Sequence, residues 1–259
     1  MPQPYIIKKI EGRVTRAIYE YGLICEGDRV MVGLSGGKDS YSLLDLLVHC
    51  QRTLPMDFSL HACHVQATDM DYRADTAFMQ RYCDEHGVQF HLRTIDVQYD
   101  PNDRKPACFI CSWKRRKMLF ATTNQVGCNK LALGHHMDDT IETLLMNMIN
   151  HASISSIPPK LSMFDGTLEL IRPLTTCHDT ELRNYAAAKE FPAEMKRCQY
   201  EHDTHRSDVR ELIQAMEHIN RDARKNIYRS TQNFLAEYVV GSPTNHKPRS
   251  GAKRKASDE

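Results

Sequence analysis

Apolar residues recur every fourth position at Ile6, Ile10, Val14 and Ile18, with Lys8, Lys9, Arg13 and Arg16 between them. That spacing predicts an amphipathic helix. The period then changes. Arg29-Val30-Met31-Val32-Gly33-Leu34 is a short apolar run that predicts a buried strand, and Tyr41, Leu43, Leu44, Leu46, Leu47 and Val48 predict the helix after it. Phe58 to Val65 and Gln89 to Ile95 alternate as strands. Thr76 to His86 between them reads as a helix, with Gly87 placed to end it. Residues 97–107 form a loop marked by Pro101 and Pro106, and a helix is expected from about Trp113 to Gln125. Lys130 to Leu133 and Leu168 to Ile171 supply fourth and fifth strands. Asp139 to Asn150, Thr180 to Lys189 and roughly Asp208 to Ile219 supply further helices.

Strands alternating with helices define an α/β fold with right-handed crossovers. The expectation is a parallel five-stranded sheet flanked by helices, with helical additions at both ends. The division expected is an N-terminal helix over 1–24, one catalytic domain over 25–200, helices over 201–240 and a polar, disordered tail over 241–259. In such sheets ligands sit beyond the carboxyl ends of the strands. Ser35, the segment after Val65, the Cys108–Cys111 loop and Gly134 all fall there, which predicts one composite site.

The chain has 259 residues and a net charge of +1, so any nucleic-acid contact must come from local basic patches. No apolar run approaches the length of a membrane helix, and Met1-Pro2-Gln3-Pro4 lacks a signal peptide's apolar core. A soluble, cytoplasmic protein without membrane contact is expected. The nine cysteines are odd in number and scattered, which argues against a disulfide framework. Most are expected to be small buried hydrophobes.

Ser35-Gly36-Gly37-Lys38-Asp39-Ser40 lies between the first strand and its helix. Glycines let backbone N–H groups approach an anion, and a helix N-terminus favours negative charge. Lys38 suits phosphate, the Ser35 and Ser40 hydroxyls can donate to it, and Asp39 suits Mg²⁺. The loop is not a Walker A motif, because Val32 and Asp39 stand where that motif needs Gly and Ser or Thr. Nor is it a Rossmann fingerprint, because Ser35 follows Gly33-Leu34.

Cys108-Phe109-Ile110-Cys111 is open to four readings: a redox dithiol, half a zinc site, part of an iron–sulfur site, or structure alone. A third thiolate would come from elsewhere; Cys198 is the first candidate and Cys177 the reserve. Lys114, Arg115, Arg116 and Lys117 follow beside Trp113. Cations with an aromatic ring suit a phosphate backbone and a stacked base, although a solvated helical turn has the same composition. Four cations at a helix start would oppose its dipole, which a bound polyanion would relieve. Gly134 and His135, in Gly134-His135-His136-Met137-Asp138-Asp139, are read as neighbours of the nucleotide rather than metal ligands. Asp138 or Asp139 can also begin the next helix.

The six-residue loop resembles the signature of the PP-loop ATP pyrophosphatases. The ordered set of Glu26 to Val32, Leu34 to Tyr41, Cys108 with Cys111, Leu131 to His136 with Asp138-Asp139, Pro158-Pro159-Lys160-Leu161 and Ile171-Arg172-Pro173-Leu174 resembles one family within it, the TtcA-type tRNA 2-thiocytidine synthetases. The resemblance implies an adenine nucleotide alpha hydrolase-like fold and ATP with Mg²⁺ adenylating C2 of a cytidine at position 32 of a tRNA anticodon loop. It also implies a 4Fe-4S cluster held by three cysteines, here Cys108, Cys111 and Cys198, as well as a cysteine desulfurase as sulfur donor and a homodimer. The stretch after Phe191-Pro192 carries a single cysteine where the family has a cysteine-rich segment. A 2-thiouridine-type sulfurtransferase, a lysidine-forming ligase and a non-catalytic ATP-binding redox module are the competing readings.

Overall fold

The computed structural model describes residues 3–70, 72–100, 102, 104–192, 206–233 and 235–238. Cys198 and the proposed tail over 241–259 lie outside the described residues.

The chain opens with α1 (Gln3–Glu20), whose Ile6, Ile10, Val14 and Ile18 are at most 4% exposed. Each buried isoleucine contributes about 1.5–3 kcal/mol, which is what docks this helix. Then come β1 (Arg29–Gly33), α2 (Lys38–Thr53), β2 (Ser59–Ala67), α3 (Thr76–His86), β3 (Gln89–Ile95), α4 (Ala107–Gln125), β4 (Lys130–Ala132) and α5 (Met137–His151). The hairpin β5 (Lys160–Met163) and β6 (Leu168–Ile171) follows, then α6 (Asp179–Ala188), α7 (Arg206–Ile219) and α8 (Ala223–Ser230). Gly87 ends α3 in the left-handed region at φ 70°. Among the described residues, no helix is long and apolar enough to cross a membrane.

The sheet has six strands in the order β3-β2-β1-β4-β6-β5. The expected five are present and parallel. The sixth, β5, pairs antiparallel with β6 at the sheet edge. Its residues are exposed or half-buried, so the hydrophobic signal of a buried strand is missing from Lys160-Leu161-Ser162-Met163. Strand β1 buries both faces: Val30 and Val32 join the cluster under α1, α2 and α6, while Met31 joins the one under α4. A strand covered on both sides reads as a continuous apolar run, as Val30 to Val32 does.

A second difference concerns α4. It starts at Ala107, so the Cys-x-x-Cys forms its first turn rather than a preceding loop. Pro106 is the reason: it stands just ahead of the helix with its ring-fixed φ at −59° and no N–H to satisfy. The four cations therefore sit on the second and third turns. The dipole argument for a polyanion at the helix start falls with them.

Two polar networks lock the layers. Asp45 in α2 accepts from Tyr82 of α3 at 2.5 Å and from Tyr185 of α6, and pairs with Lys189 at 2.9 Å. Burial would raise its pKa, but the bonds from Tyr185, Tyr82 and Lys189 outweigh it and hold the carboxyl below its ordinary range. At the amino ends of the strands, buried Lys130 pairs with Glu169 at 2.6 Å and Asp28 at 3.2 Å. The opposite, carboxyl edge is left for chemistry.

Candidate active site at the carboxyl edge of the sheet

Strand order runs outward from β1 through β2 and β3 on one side, and from β4 on the other. The crevice between β1 and β4 is thus the switch point where such sheets bind ligands. The turn after β1 and Gly134 after β4 flank it. A Cβ on Gly134 would lie 3.2 Å from the Asp39 carbonyl carbon and oxygen and 3.3 Å from the Ser40 nitrogen. Glycine is what lets the two turns touch.

The first turn is shaped from within. Gly36 takes φ +95°, and a Cβ there would stand 2.6 Å from Ala74 Cβ and 2.8 Å from the Tyr72 hydroxyl oxygen. Tyr72 Oη donates to the Ser35 carbonyl at 2.6 Å. Ser40 Oγ donates to the Gly37 carbonyl at 2.8 Å and accepts from Gly36 N–H at 3.3 Å, and Ser35 Oγ lies 3.1 Å away. The two serine hydroxyls thus brace the loop. No side chain caps the start of α2, and the first N–H groups of an uncapped helix are open to an anion.

Lys38 Nζ lies 2.7 Å from Asp39 Oδ1 and 2.8 Å from Asp179 Oδ1. Burial pulls its pKa down, but hydrogen bonds to Asp179 and Asp39 outweigh that and hold it above the ordinary lysine value. Ligand atoms of Asp39, His136 and Asp179 lie within 4.8 Å of one another. Buried His136 also leaves Nδ1 without a hydrogen-bond partner. Two carboxylates beside a phosphate loop are the hard oxygen donors that Mg²⁺ takes, so Asp39 with Asp179 fits the ion.

The remaining residues of the motif after β4 are tied into hydrogen bonds and ion pairs. Asp138 pairs with Arg224 of α8 and accepts from Asp179 N–H at 2.8 Å, capping α6. Asp139 accepts from His136 N–H at 3.0 Å, closing the start of its own helix α5. His135 Nδ1 accepts from Arg172 Nε at 3.4 Å, which puts the ring proton of the neutral imidazole on Nε2. Burial pushes its pKa down to about 4, with the charge of Arg172 helping and that of Asp139 opposing. It is a neutral donor at pH 7. Arg172 is held in turn by the Pro158 carbonyl at 2.6 Å. Thus the Pro-Pro-Lys-Leu and Ile-Arg-Pro-Leu stretches meet across the β5–β6 pair.

Cys108 is exposed and Cys111 half-buried, one helical turn apart on α4. Cys111 and Ile110 pack on Ala67, Met70 and Val97 at the ends of β2 and β3. Arg115, one turn further on, stacks over the Tyr72 ring at 5.6 Å. Tyr72 therefore links the cysteine-bearing helix to the phosphate loop. Cys50, Cys63, Cys83, Cys128 and Cys177 are buried, as expected of small hydrophobes. Cys177, the reserve ligand, is wholly buried in the main core, where burial pushes its thiol up to about 12.

The four cations diverge around the helix. Lys114 Nζ donates to the Val97 and Asp96 carbonyls at 2.8 and 3.2 Å and serves the scaffold. Arg115 faces Tyr72. Arg116 is near enough to Arg172 that its charge, after burial, lowers the Arg172 pKa. Lys117 Nζ sits 5.4 Å from the Trp113 ring centre. Beside Lys38 and Asp39 opens a cavity of about 820 Å³, lined also by Asp179, Arg183, Phe191, Pro192 and Arg210. That is large enough for a nucleotide-sized ligand. Asp179 and Tyr72 were missed by sequence reasoning. Neither stands in a motif, and only the folded crevice brings them to the loop.

Crevice, glycine turn and flanking cations together define a nucleotide-binding α/β protein with a pyrophosphatase-type loop. The family described as PP-loop domain matches residues 7–216. The chain belongs to that family and, within it, groups with the tRNA-cytidine(32) 2-sulfurtransferases. It is 35% identical to the one from Citrifermentans bemidjiense over 93% of this chain and 96% of that one. It is 37% identical to the one from Deinococcus radiodurans, over 91% and 80%. Among solved structures, the U34-tRNA thiolase NcsA from Methanococcus maripaludis, with its 4Fe-4S cluster, superposes with a TM-score of 0.76. It is 24% identical and covers 92% of this chain and 81% of its own, which shows a shared fold.

Proposed function

We propose that this protein is an ATP-dependent tRNA sulfurtransferase that converts cytidine 32 of the anticodon loop to 2-thiocytidine. The observation that carries the reading is the pairing of a phosphate loop with a Cys-x-x-Cys turn at one sheet edge, joined through Tyr72 and Arg115. Identity of 33–39% to proteins of that name supports the choice of base.

The loop's N–H groups and Lys38 bind the triphosphate. Phosphate oxygens compete for Lys38, which leaves Asp39 and Asp179 to hold Mg²⁺ and present the α-phosphorus. The cytidine O2 then bonds to the α-phosphorus, the α–β bridging bond breaks, and pyrophosphate leaves. Sulfur adds at C2, the C2–O bond breaks, and AMP leaves with the oxygen. Neutral His135 follows the Gly134 that touches the phosphate turn and stands beside the nucleotide. Soft thiolates of Cys108 and Cys111 fit an iron–sulfur group, with Cys198 as third ligand. Held by these three thiolates, a 4Fe-4S cluster would supply the site that accepts the incoming sulfur. In this reading the protein acts in the cytoplasm as a homodimer and takes sulfur from a cysteine desulfurase. Light scattering that returned the mass of one chain would remove the dimer, and full activity with sulfide alone in cells lacking any desulfurase would remove the donor.

The test is the nucleotide product. With ATP labelled at the α-phosphate, tRNA and sulfide, the reaction should release AMP and pyrophosphate, and only when tRNA is present. Release of ADP, or turnover unaffected by tRNA, would contradict the mechanism.

A further inference from the structure

We infer that the outward face of α4 is a base-stacking platform, on which Phe109 and Trp113 take two unpaired bases of the anticodon loop neighbouring the modified cytidine while Lys105 and Lys117 hold their phosphates. The inference rests on the tRNA-thiolation reading and adds how the loop is gripped. Phe109 and Trp113 are 48% and 51% exposed. They are four residues apart on the helix, so their rings lie on one face. Lys105 Nζ stands 4.5 Å from the centre of the Phe109 ring, and Lys117 Nζ stands 5.4 Å from that of Trp113. Phe109, Trp113 and Lys117 follow one another at four-residue spacing along the face, and Lys105, just ahead of the helix, reaches back over Phe109.

A lone exposed aromatic residue on a helix needs no explanation. Two adjacent rings bracketed by ammonium groups are another matter. An apolar protein partner would have to desolvate both cations, whereas single-stranded RNA brings π-faces for the rings and phosphates for the lysines. Sequence-specific RNA recognition targets such unstacked loop bases.

The geometry also says which bases these are. At about 100° per residue, Cys108, Cys111 and Arg115 share the side of α4 that looks toward Tyr72 and the phosphate loop. Phe109 and Trp113 lie well round the helix from them. One base cannot meet the thiolates and stack on Trp113 together, because the helix with its side chains is about 10–12 Å thick. The rings therefore take the neighbours, and splaying them over the helix draws the target base into the crevice. Arg116 lies between the two faces by the same spacing, where the connecting phosphate would pass.

Trp113 is the only tryptophan in the chain, so its emission reports this face directly. The full-length protein is titrated with a synthetic anticodon stem-loop carrying cytidine at position 32, and RNA binding is measured in parallel by filter retention. Saturable quenching of Trp113 is expected, and abasic nucleotides on either side of the cytidine should remove it. Phe109→Ala and Trp113→Ala should each weaken RNA binding about tenfold, with ATP affinity and iron content unchanged and Trp113→Phe restoring affinity. Retention of RNA with no change in emission, and with undiminished affinity in the Phe109→Ala/Trp113→Ala double variant, overturns the platform alone. No retention of any tRNA overturns the thiolation reading and the platform together. A change in emission with protein concentration, and none with RNA, assigns the face to a second copy of the chain and overturns the proposal.

Discussion

Gly36→Val should weaken ATP binding by about a hundredfold or more while leaving the protein folded. Valine is among the residues least able to hold φ +95°, and a strained position of that kind costs about 1–3 kcal/mol. Its Cβ would also meet the Ala74 Cβ at 2.6 Å and the Tyr72 hydroxyl at 2.8 Å. Ala74 has no flexible side chain to retract, and Tyr72 is tied to the Ser35 carbonyl. The turn must therefore open, and the serine bonds that brace it, from Gly36 N–H to Ser40 and from Gly37 N–H to Ser35, are lost. Overpacking of this sort adds about 1–3 kcal/mol. Isothermal titration with a non-hydrolysable ATP analogue reads the effect, and circular dichroism reports the fold. Unchanged affinity in a folded Gly36→Val protein would mean that the phosphates bind elsewhere.

Cys108→Ala should have the opposite profile: thiolation falls by about a thousandfold or more, and ATP affinity stays as it was. Cys108 is exposed on the first turn of α4, so trimming it leaves the core intact. It stands apart from the phosphate turn, which is built from residues 35–40 with Tyr72 and Ala74. Iron and labile sulfide, measured on protein purified without oxygen, should drop together with activity. Cys177→Ala is the control: it trims a wholly buried core side chain and should lower the melting temperature while sparing the iron. Retention of full iron content and activity in the Cys108→Ala variant would remove the pair from the chemistry.

The fold was open to sequence reasoning wherever a local cause fixes it. Helix α3 and strand β3 fall where Thr76, Gly87 and the alternation from Gln89 put them, because the capping and period signals are local. Helix α4 starts earlier than its sequence suggests because a proline signals a loop, yet immediately ahead of a helix, where Pro106 stands, a missing N–H is no loss. Strand β5 was invisible, since an exposed edge strand needs no apolar face. The phosphate loop could be read because its chemistry sits in consecutive residues. Asp179 could not, because its approach to Lys38 exists only once α6 packs beside α2. The four cations of α4 looked like one patch in sequence, yet a helix sends neighbours in different directions, and each meets a different surface.

In the proposed reaction, nucleotide activation at the Ser35–Ser40 turn and sulfur delivery at the Cys108–Cys111 turn converge on one cytidine. Mass spectrometry of nucleosides from the tRNA of cells lacking this protein tests it most directly. 2-Thiocytidine should disappear, the wild-type chain should restore it, and the Cys108→Ala chain should not. Unchanged 2-thiocytidine, or the loss of 2-thiouridine in its place, would contradict it.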